Sequence, residues 1–565
     1  MKKDNKIIIY QIICRLFGNS NNHCFRNGSI EDNGCGKFSD FTLKALNEIR
    51  KLGTTHVWYT GIIEHATQTN YSKYNIRQDH PAIVKGKAGS PYAIKDYYDV
   101  DPDLADDVPN RMKEFEALVK RTHQADLKII IDFVPNHVAR QYHSDSKPKN
   151  VIDLGEKDNP ENAFSPYNNF YYIPQTVLNG QFDMKGDASK IYYESPAKAT
   201  GNDKFDACPG VNDWYETIKL NYGIDFANGG TRHFYPVPDT WLKMLDILRF
   251  WASKGVDGFR CDMAEMVPVE FWKWAIAQVK YQYPNVIFIA EVYNPEEYHN
   301  YLFNGGFSYL YDKVGLYETL RDITCGYRSA SDITGCWQSL GGIEKQMLNF
   351  IENHDEQRLS STFLAGDGLK GIPAMIVAAC MNANPVMIYF GQEFGERGMD
   401  EEGFSGKDGR TTIFDYWSVE TIRNWRNEDK FDGMLLTSKQ KQLQTFYRKL
   451  LNLCNQERAI YQGQFFDLMY VNFGQEHFNV HKHYVFFRKD RDELLLIIAN
   501  FDTQAARISI NIPSHAFDFL QISQNESYTA KDLFTEREET LSLLPYQPTE
   551  TSVEGMSGKI LKFTL

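Results

Sequence analysis

The 565-residue sequence predicts an α/β fold: a (β/α)8 barrel of the TIM type, a subdomain inserted after its third strand, and an antiparallel β-sandwich at the C-terminal end. Three observations predict it. Over about the first 455 residues, apolar runs of four to six residues alternate with longer stretches of helical periodicity, as in a parallel sheet wrapped by helices. From His137 to Pro238 that rhythm stops for about 100 residues rich in Asn, Asp, Gly, Pro and Tyr, too long for a loop. Beyond about residue 458 it gives way to short alternating segments.

The strand candidates follow in order: Ile7–Ile12, His56–Tyr59, Lys128–Asp132, Val256–Arg260, Val286–Ala290, Phe307–Tyr311, Leu348–Ile351 and Pro385–Phe390. The last opens at a proline, which suits a first strand position. Helices lie between them. Asn110–Gln124 sets Met112, Phe115, Leu118 and Val119 on one face, and Thr240–Ser253 does so with Leu242, Leu245, Leu248 and Phe250. The expected division is a barrel over 1–137 and 239–457, an insert over 138–238 and a C-terminal unit over 458–565. The insert's aromatic centre is Phe164–Tyr172. Sandwich strands include His483–Arg488, Leu494–Asn500 and Ala506–Ile512, and the spacing of His477, His481 and His483 reads as a polar strand face rather than a metal cluster.

Composition narrows the function. Lys plus Arg number 61 against 74 Asp plus Glu, a net charge of −13, which is the wrong sign for a nucleic-acid partner. No apolar run approaches the roughly 20 residues of a membrane span, and the start, MKKDNKIIIYQIIC, lacks a small-residue cleavage site. Nine scattered cysteines without a C-x-x-C pair read as reduced thiols, so the expected location is cytoplasmic. Oligomeric state is left open. Aromatic residues reach 14%, enough both for a core and for stacking on the C–H faces of sugars.

In such barrels the chemistry sits at the carboxyl ends of the strands. Here several strand ends carry acids: Asp132, Asp262, Glu291, Glu352 with Asp355, and Glu393. A carboxylate ending a buried apolar strand needs a partner, so their gathering on one rim has a purpose. Two carboxyl groups facing one bond, one ionised to attack and one protonated to assist the leaving oxygen, are the minimum for glycoside hydrolysis with retained configuration. Arg260 and Asp262, two apart on one strand, point to the same side, so the arginine is expected to keep Asp262 ionised at low pKa. Glu291, at the end of an apolar run, is the candidate for a raised one. Cys261 between them points to the opposite face and is packing.

Asp132-Phe-Val-Pro-Asn-His137, Gly258-Phe-Arg-Cys-Asp262, Ala290-Glu291-Val292 and Glu352-Asn-His-Asp355 resemble, in order and spacing, the four short signature regions of the α-amylase superfamily, glycoside hydrolase family 13. Ser90–Tyr97, Leu220–Tyr222 and Pro385–Glu393 resemble further segments of that family. The resemblance implies that Asp262 attacks the anomeric carbon, Glu291 protonates the glycosidic oxygen and Asp355 holds the distorted ring. It further implies that His137 and His354 hydrogen-bond the sugar, Arg260 orients Asp262, and Tyr92 is the stacking platform. Its chemistry needs no cofactor, its substrates are α-glucans or maltooligosaccharides linked α-1,4, and Asn136 would help hold a structural calcium. Two positions depart from the family pattern. Glu265-Met266 stand where many members have Lys-His, and Gly89 stands where exo-acting members have an Asp. The expectation is therefore an endo-acting or oligomer-tolerant hydrolase, with a glucanotransferase and an inactive binding relative as alternatives.

Overall fold

The computed structural model describes residues 6–398, 403–404 and 406–565; the basic start, Met1–Asn5, lies outside them. Eight parallel strands form one sheet: β1 (Ile8–Ile13), β2 (His56–Thr60), β3 (Lys128–Phe133), β4 (Gly258–Cys261), β5 (Ile287–Ala290), β6 (Tyr309–Tyr311), β7 (Met347–Leu348) and β8 (Val386–Tyr389). Their order is β7-β6-β5-β4-β3-β2-β1-β8, and a parallel bridge from Asn349 to Val386 closes the ring. Every strand expected from the sequence is present, with ends displaced by up to three residues.

Period-two alternation divides the barrel into two cores. Ile9, Trp58, Ile130, Ile289, Tyr311, Leu348 and Met387 fill the interior. Their neighbours Ile8, Tyr10, Val57, Tyr59, Ile129, Ile131, Phe259, Cys261, Phe288 and Ala290 face outward into the helical layer. Arg260 and Asp262 share the inward parity, and Cys261 packs outside with no exposure. Asp239–Ser253 buries Trp241, Met244, Leu245, Leu248 and Trp251, while Leu242, expected on that face, is exposed.

Two features of the mouth escape the sequence reading. Ile63–His65 pairs antiparallel with Ile94–Val100, a hairpin next to the segment carrying Tyr92. His137–Ala139 pairs with Thr217–Lys219, so the long insert returns to the end of β3. Between them the chain is mostly irregular, with short ladders such as Tyr172–Ile173 against Ala197–Lys198. Tyr171 packs against Phe205 at 5.3 Å and Phe226 at 5.6 Å between ring centres, whereas Tyr167 of the same aromatic run points into solvent.

The C-terminal strands are β9 (Gln464–Asp467), β10 (His483–Asp490), β11 (Glu493–Asn500), β12 (Ala506–Ile510), β13 (Asn525–Asp532), β14 (Glu538–Leu543), β15 (Thr549–Val553) and β16 (Ser557–Phe563). They make a six-stranded antiparallel sheet, β9-β10-β11-β16-β13-β14, and a β12-β15 pair. The histidine reading is corrected: His477 and His481 lie in turns, and only His483 is on a strand, buried and accepting the Asn479 amide at 3.1 Å. Helix Ile372–Cys380 is apolar all round because it is covered by barrel on one side and by β11 and β16 on the other.

Arg488 of β10 ties the two parts together. It donates to the carbonyls of Ala459 (2.9 Å), Met381 (2.7 Å), Ile460 (2.9 Å) and Gly463 (2.8 Å) while fully buried. Arg488→Met is expected to leave those acceptors unpaired and to lower stability by roughly 3–5 kcal/mol. A urea midpoint unchanged from wild type would contradict this.

Candidate active site

Strand parity delivers the key side chains to one mouth. Asp132 ends β3, Arg260 and Asp262 end β4, and Glu291 follows β5, whose last backbone pairing is its amide to the Cys261 carbonyl at 3.1 Å. Asp262, Glu291 and Asp355 line one pocket of about 260 Å³ together with Tyr92 and His137. Arg260 and His354 are buried beside it, and Asn136 does not reach it.

Arg260 is the centre of the arrangement. Its Nη1 donates to Asp262 Oδ1 at 2.6 Å and lies 3.5 Å from Asp132 Oδ1; its Nη2 is 2.9 Å from Glu291 Oε2. Nε donates to the Tyr311 hydroxyl at 3.2 Å. The guanidinium is packed among the rings of Trp58, Tyr92 and Tyr311, 5.3–5.5 Å from their centres. Trp58 Nε1 donates to Asp132 Oδ2 at 2.9 Å, so Asp132 is held as a brace.

Glu291 has further donors. The Met263 amide reaches Oε2 at 2.8 Å, and the Tyr293 hydroxyl donates to Oε1. Met263 turns its amide inward by adopting φ 42°, a strained conformation for a side-chain-bearing residue. Glu265, the departure noted above, points away from the pocket: its Oε2 accepts the amides of Tyr293 and Asn294, both at 3.0 Å, and braces the loop that carries Tyr293.

His354 is stacked against Tyr92, with ring centres 5.2 Å apart. Gln11 Nε2 donates to its Nδ1 at 2.8 Å, which puts the imidazole proton on Nε2, facing the Tyr92 hydroxyl at 2.5 Å and Asp355 Oδ2 at 3.2 Å. Burial and the neighbouring Arg260 keep this imidazole neutral, well below its usual range. Burial likewise pushes His137 down to about 4. Both are thus hydrogen-bonding groups, not cations, near neutral pH.

The carboxyls move the other way. Desolvation raises Asp132 to about 7, and it raises Asp262, Glu291 and Asp355 above the ordinary carboxylate range. The expectation that Arg260 holds Asp262 low is therefore corrected: burial outweighs one arginine shared among several acids. The charge of Asp262 adds to the raising of Glu291. Both rest on one guanidinium, where two full negative charges would repel by roughly a few kcal/mol, so the pair favours one proton between them.

Sequence reasoning passed over Tyr293, Gln11, Trp58, Lys85 and Glu216. Gln11 and Tyr293 had a signal, being polar groups at inward parity beside apolar strands; Lys85 and Glu216 lie in irregular chain and had none. Two acids it did notice belong elsewhere. Glu352 pairs with Arg358 at 2.9 Å, and Glu393 accepts the Tyr10 hydroxyl at 2.6 Å.

The residues about Asn136 do not fit a calcium ion. Its Oδ1 accepts from the Lys219 ammonium at 2.6 Å, its Nδ2 donates to the Gly201 carbonyl at 2.7 Å, and Lys219 pairs with Asp203 at 2.5 Å. A buried ammonium takes the place beside the oxygen that a cation would use, so that expectation is corrected. A second acidic group, Glu64, Asp96 and Asp99, holds three carboxylates within 4.8 Å. Its oxygens accept from Ser144 (2.6 Å), from the Ser146 amide (3.0 Å) and from Arg111.

An apolar barrel whose rim sets paired carboxyls on one arginine, inside a pocket walled by aromatic and neutral imidazole rings, defines a glycoside hydrolase. The model of the α-amylase catalytic domain matches residues 11–463, and the chain belongs to the α-amylase family. Two α-amylases of Dictyoglomus thermophilum are similar to it. Alpha-amylase 3 is 26% identical over 392 residues, 66% of this chain and 68% of that one; alpha-amylase 2 is 21% identical over 512 residues, 89% and 71%. The solved maltogenic α-amylase of Thermotoga neapolitana shares the fold, with a TM-score of 0.63 at 19% identity, covering 100% of this chain and 99% of that one. Among the described residues, no helix is long and apolar enough to cross a membrane.

Lys219→Met is expected to destabilise the insert by leaving Asn136 Oδ1 and Asp203 without their donor, by about 1–3 kcal/mol. The wild-type melting temperature is expected to be the same in a chelator and in millimolar calcium. A rise with calcium that persists in Glu64→Gln would show that an ion competes with Lys219 rather than binding the Glu64 group.

Proposed function

We propose that the chain is a retaining α-glucan hydrolase acting on α-1,4 bonds of maltooligosaccharides or related polymers. The observation that carries this is the placing of Asp262 and Glu291 on two nitrogens of one guanidinium, 2.6 and 2.9 Å from it, on the wall of one pocket. Such closeness suits a covalent route, in which no water has to fit between carboxyl and sugar.

In the first step Asp262 attacks the anomeric carbon while Glu291 gives its proton to the departing glycosidic oxygen; the C–O bond to the leaving sugar breaks as the ester to Asp262 forms. Glu291, now ionised, takes a proton from water, which attacks the same carbon and releases Asp262. Arg260 turns the attacking oxygen and supports both ionised states. Asp355, the Nε2 proton of His354, and His137 hold hydroxyls of the ring, and Tyr92 carries its apolar face. Tyr293 and the Met263 amide stabilise Glu291 once it has lost its proton.

Asp262→Asn is expected to lower kcat on maltooligosaccharides by at least about 10³-fold, since no other group can form the ester. Full activity in that variant would end the proposal, as would failure of a 2-fluoro-glucosyl fluoride to label Asp262. Maltotriose should give shorter sugars; predominantly longer ones would place the chain among transferases using the same intermediate.

The pH profile has a definite sign. Activity needs Asp262 ionised, so it falls as pH drops through that raised pKa; it needs Glu291 protonated, so it falls as pH rises through the other. Tyr293→Phe removes a donor to the ionised form of Glu291 and should move the alkaline limb of kcat/KM upward. A downward shift would be inconsistent with Glu291 as the acid.

A further inference from the structure

One wall of the pocket carries a pair of charges that the proposed chemistry does not use. Lys85 Nζ lies 2.9 Å from Glu216 Oε1, and both residues line the same cavity as Asp262, Glu291 and Asp355. The side chains keep only 12% and 6% exposure. Among the described residues, the buried Glu216 Oε2 has no hydrogen-bond partner. Glu64 and Glu270 also leave one carboxylate oxygen unpartnered beside an ion pair, but neither lines this cavity. Here the bare oxygen belongs to a residue of the pocket wall.

The surroundings fix the pair rather than use it. The ammonium sits 5.5 Å from the Tyr215 ring centre and 6.0 Å from that of Phe414, faces that hold a cation but leave its remaining N–H groups free. The Ala88 amide donates to the Phe414 carbonyl at 3.1 Å, and a Cβ on Gly86 would come 2.2 Å from that oxygen. The loop bearing Lys85 is thus clamped against residues 413–414. Across it, Trp214 and Thr217 flank Glu216 on the wall, and Trp214 packs on His137 at 5.3 Å. A few residues further on, Gly89 has φ +78°, and a Cβ there would come 1.7 Å from the Ala66 carbonyl, so no charged side chain can project from that position.

We infer that Lys85 and Glu216 together grip the hydroxyls of a glucosyl unit in this pocket and are specificity-determining residues of the enzyme. Adjacent sugar hydroxyls match the pair: one donates to the Glu216 carboxylate and its neighbour accepts from Lys85. The inference rests on the hydrolase reading above and names the part of its substrate that is recognised by charge.

The test is a cycle between residue and hydroxyl. Wild type, Glu216→Gln and Lys85→Met are compared on 4-nitrophenyl α-maltoside and on its analogues lacking single hydroxyls. Removing the gripped hydroxyl should reduce wild-type kcat/KM by about 10- to 100-fold, the range of hydrogen bonds to charged groups, and should reduce that of either variant by no more than about 2-fold. On the parent maltoside the variants should show a raised KM with a smaller change in kcat. Equal deoxygenation penalties in all three proteins, or a wild-type KM in both variants, would overturn the inference. Glu216→Gln keeps the shape of the side chain, so it carries the cycle if Lys85→Met does not fold. Normal maltoside turnover with an unchanged cycle removes the pair's role alone; a wild type that releases no nitrophenol removes the hydrolase reading and the inference with it.

Discussion

The mouth of the barrel depends on one buried cation. Arg260 faces Asp132, Asp262 and Glu291 within 3.5 Å, with Asp355 in the same field. A single positive charge cannot neutralise four carboxylates, and water has been excluded from most of them. The cluster therefore settles its charge by retaining protons, and the acid that retains one is set by its donors. This explains how an ionised and a protonated carboxyl can stand side by side at one pH. It also explains why the guanidinium is enclosed by three aromatic rings: their faces stabilise it without offering a competing anion.

That cation is placed by the simplest rule of a strand. Inward residues of β4 alternate as Gly258, Arg260 and Asp262, and those of β5 run Ile287, Ile289, Glu291. A register slip of one residue would turn Arg260 into the helical layer and bring Cys261 into the mouth. Apolar packing below therefore holds the polar layer above: Ile130, Ile289 and Met387 occupy the interior beneath, so the charged groups have no other direction but the opening.

This is why so much could be read before any coordinates. Eight apolar runs and their terminal acids are local patterns, and parity alone aligns Arg260 with Asp262. What could not be read depends on long-range closure. The hairpin of Ile63–His65 with Ile94–Val100 is formed across an irregular loop, and Lys85 meets Glu216 only because the insert folds back through Thr217–Lys219. Electrostatics was also misjudged from neighbours in sequence. The Arg260–Asp262 spacing suggested a low pKa, but depth of burial and the number of acids sharing that arginine decide the direction, and neither is a property of two residues.

The same logic runs through the rest of the molecule. Lys219 sits where an oxygen-bound ion would be needed, Arg358 takes Glu352 out of the pocket, and Lys95 reaches Asp79 at 3.0 Å beside the Glu64 cluster. These three anions, Asp203, Glu352 and Asp79, are met by cations from the chain itself, with the packing cost of a long side chain in place of a bound ion. Glu216 is met in the same way but lies on the pocket wall. Its partner Lys85 satisfies one oxygen and leaves the other bare on the pocket wall. Unlike Glu64 and Glu270, which also leave one oxygen unpartnered, Glu216 lines the cavity of Asp262 and Glu291, where with Lys85 it meets the hydroxyls of a substrate.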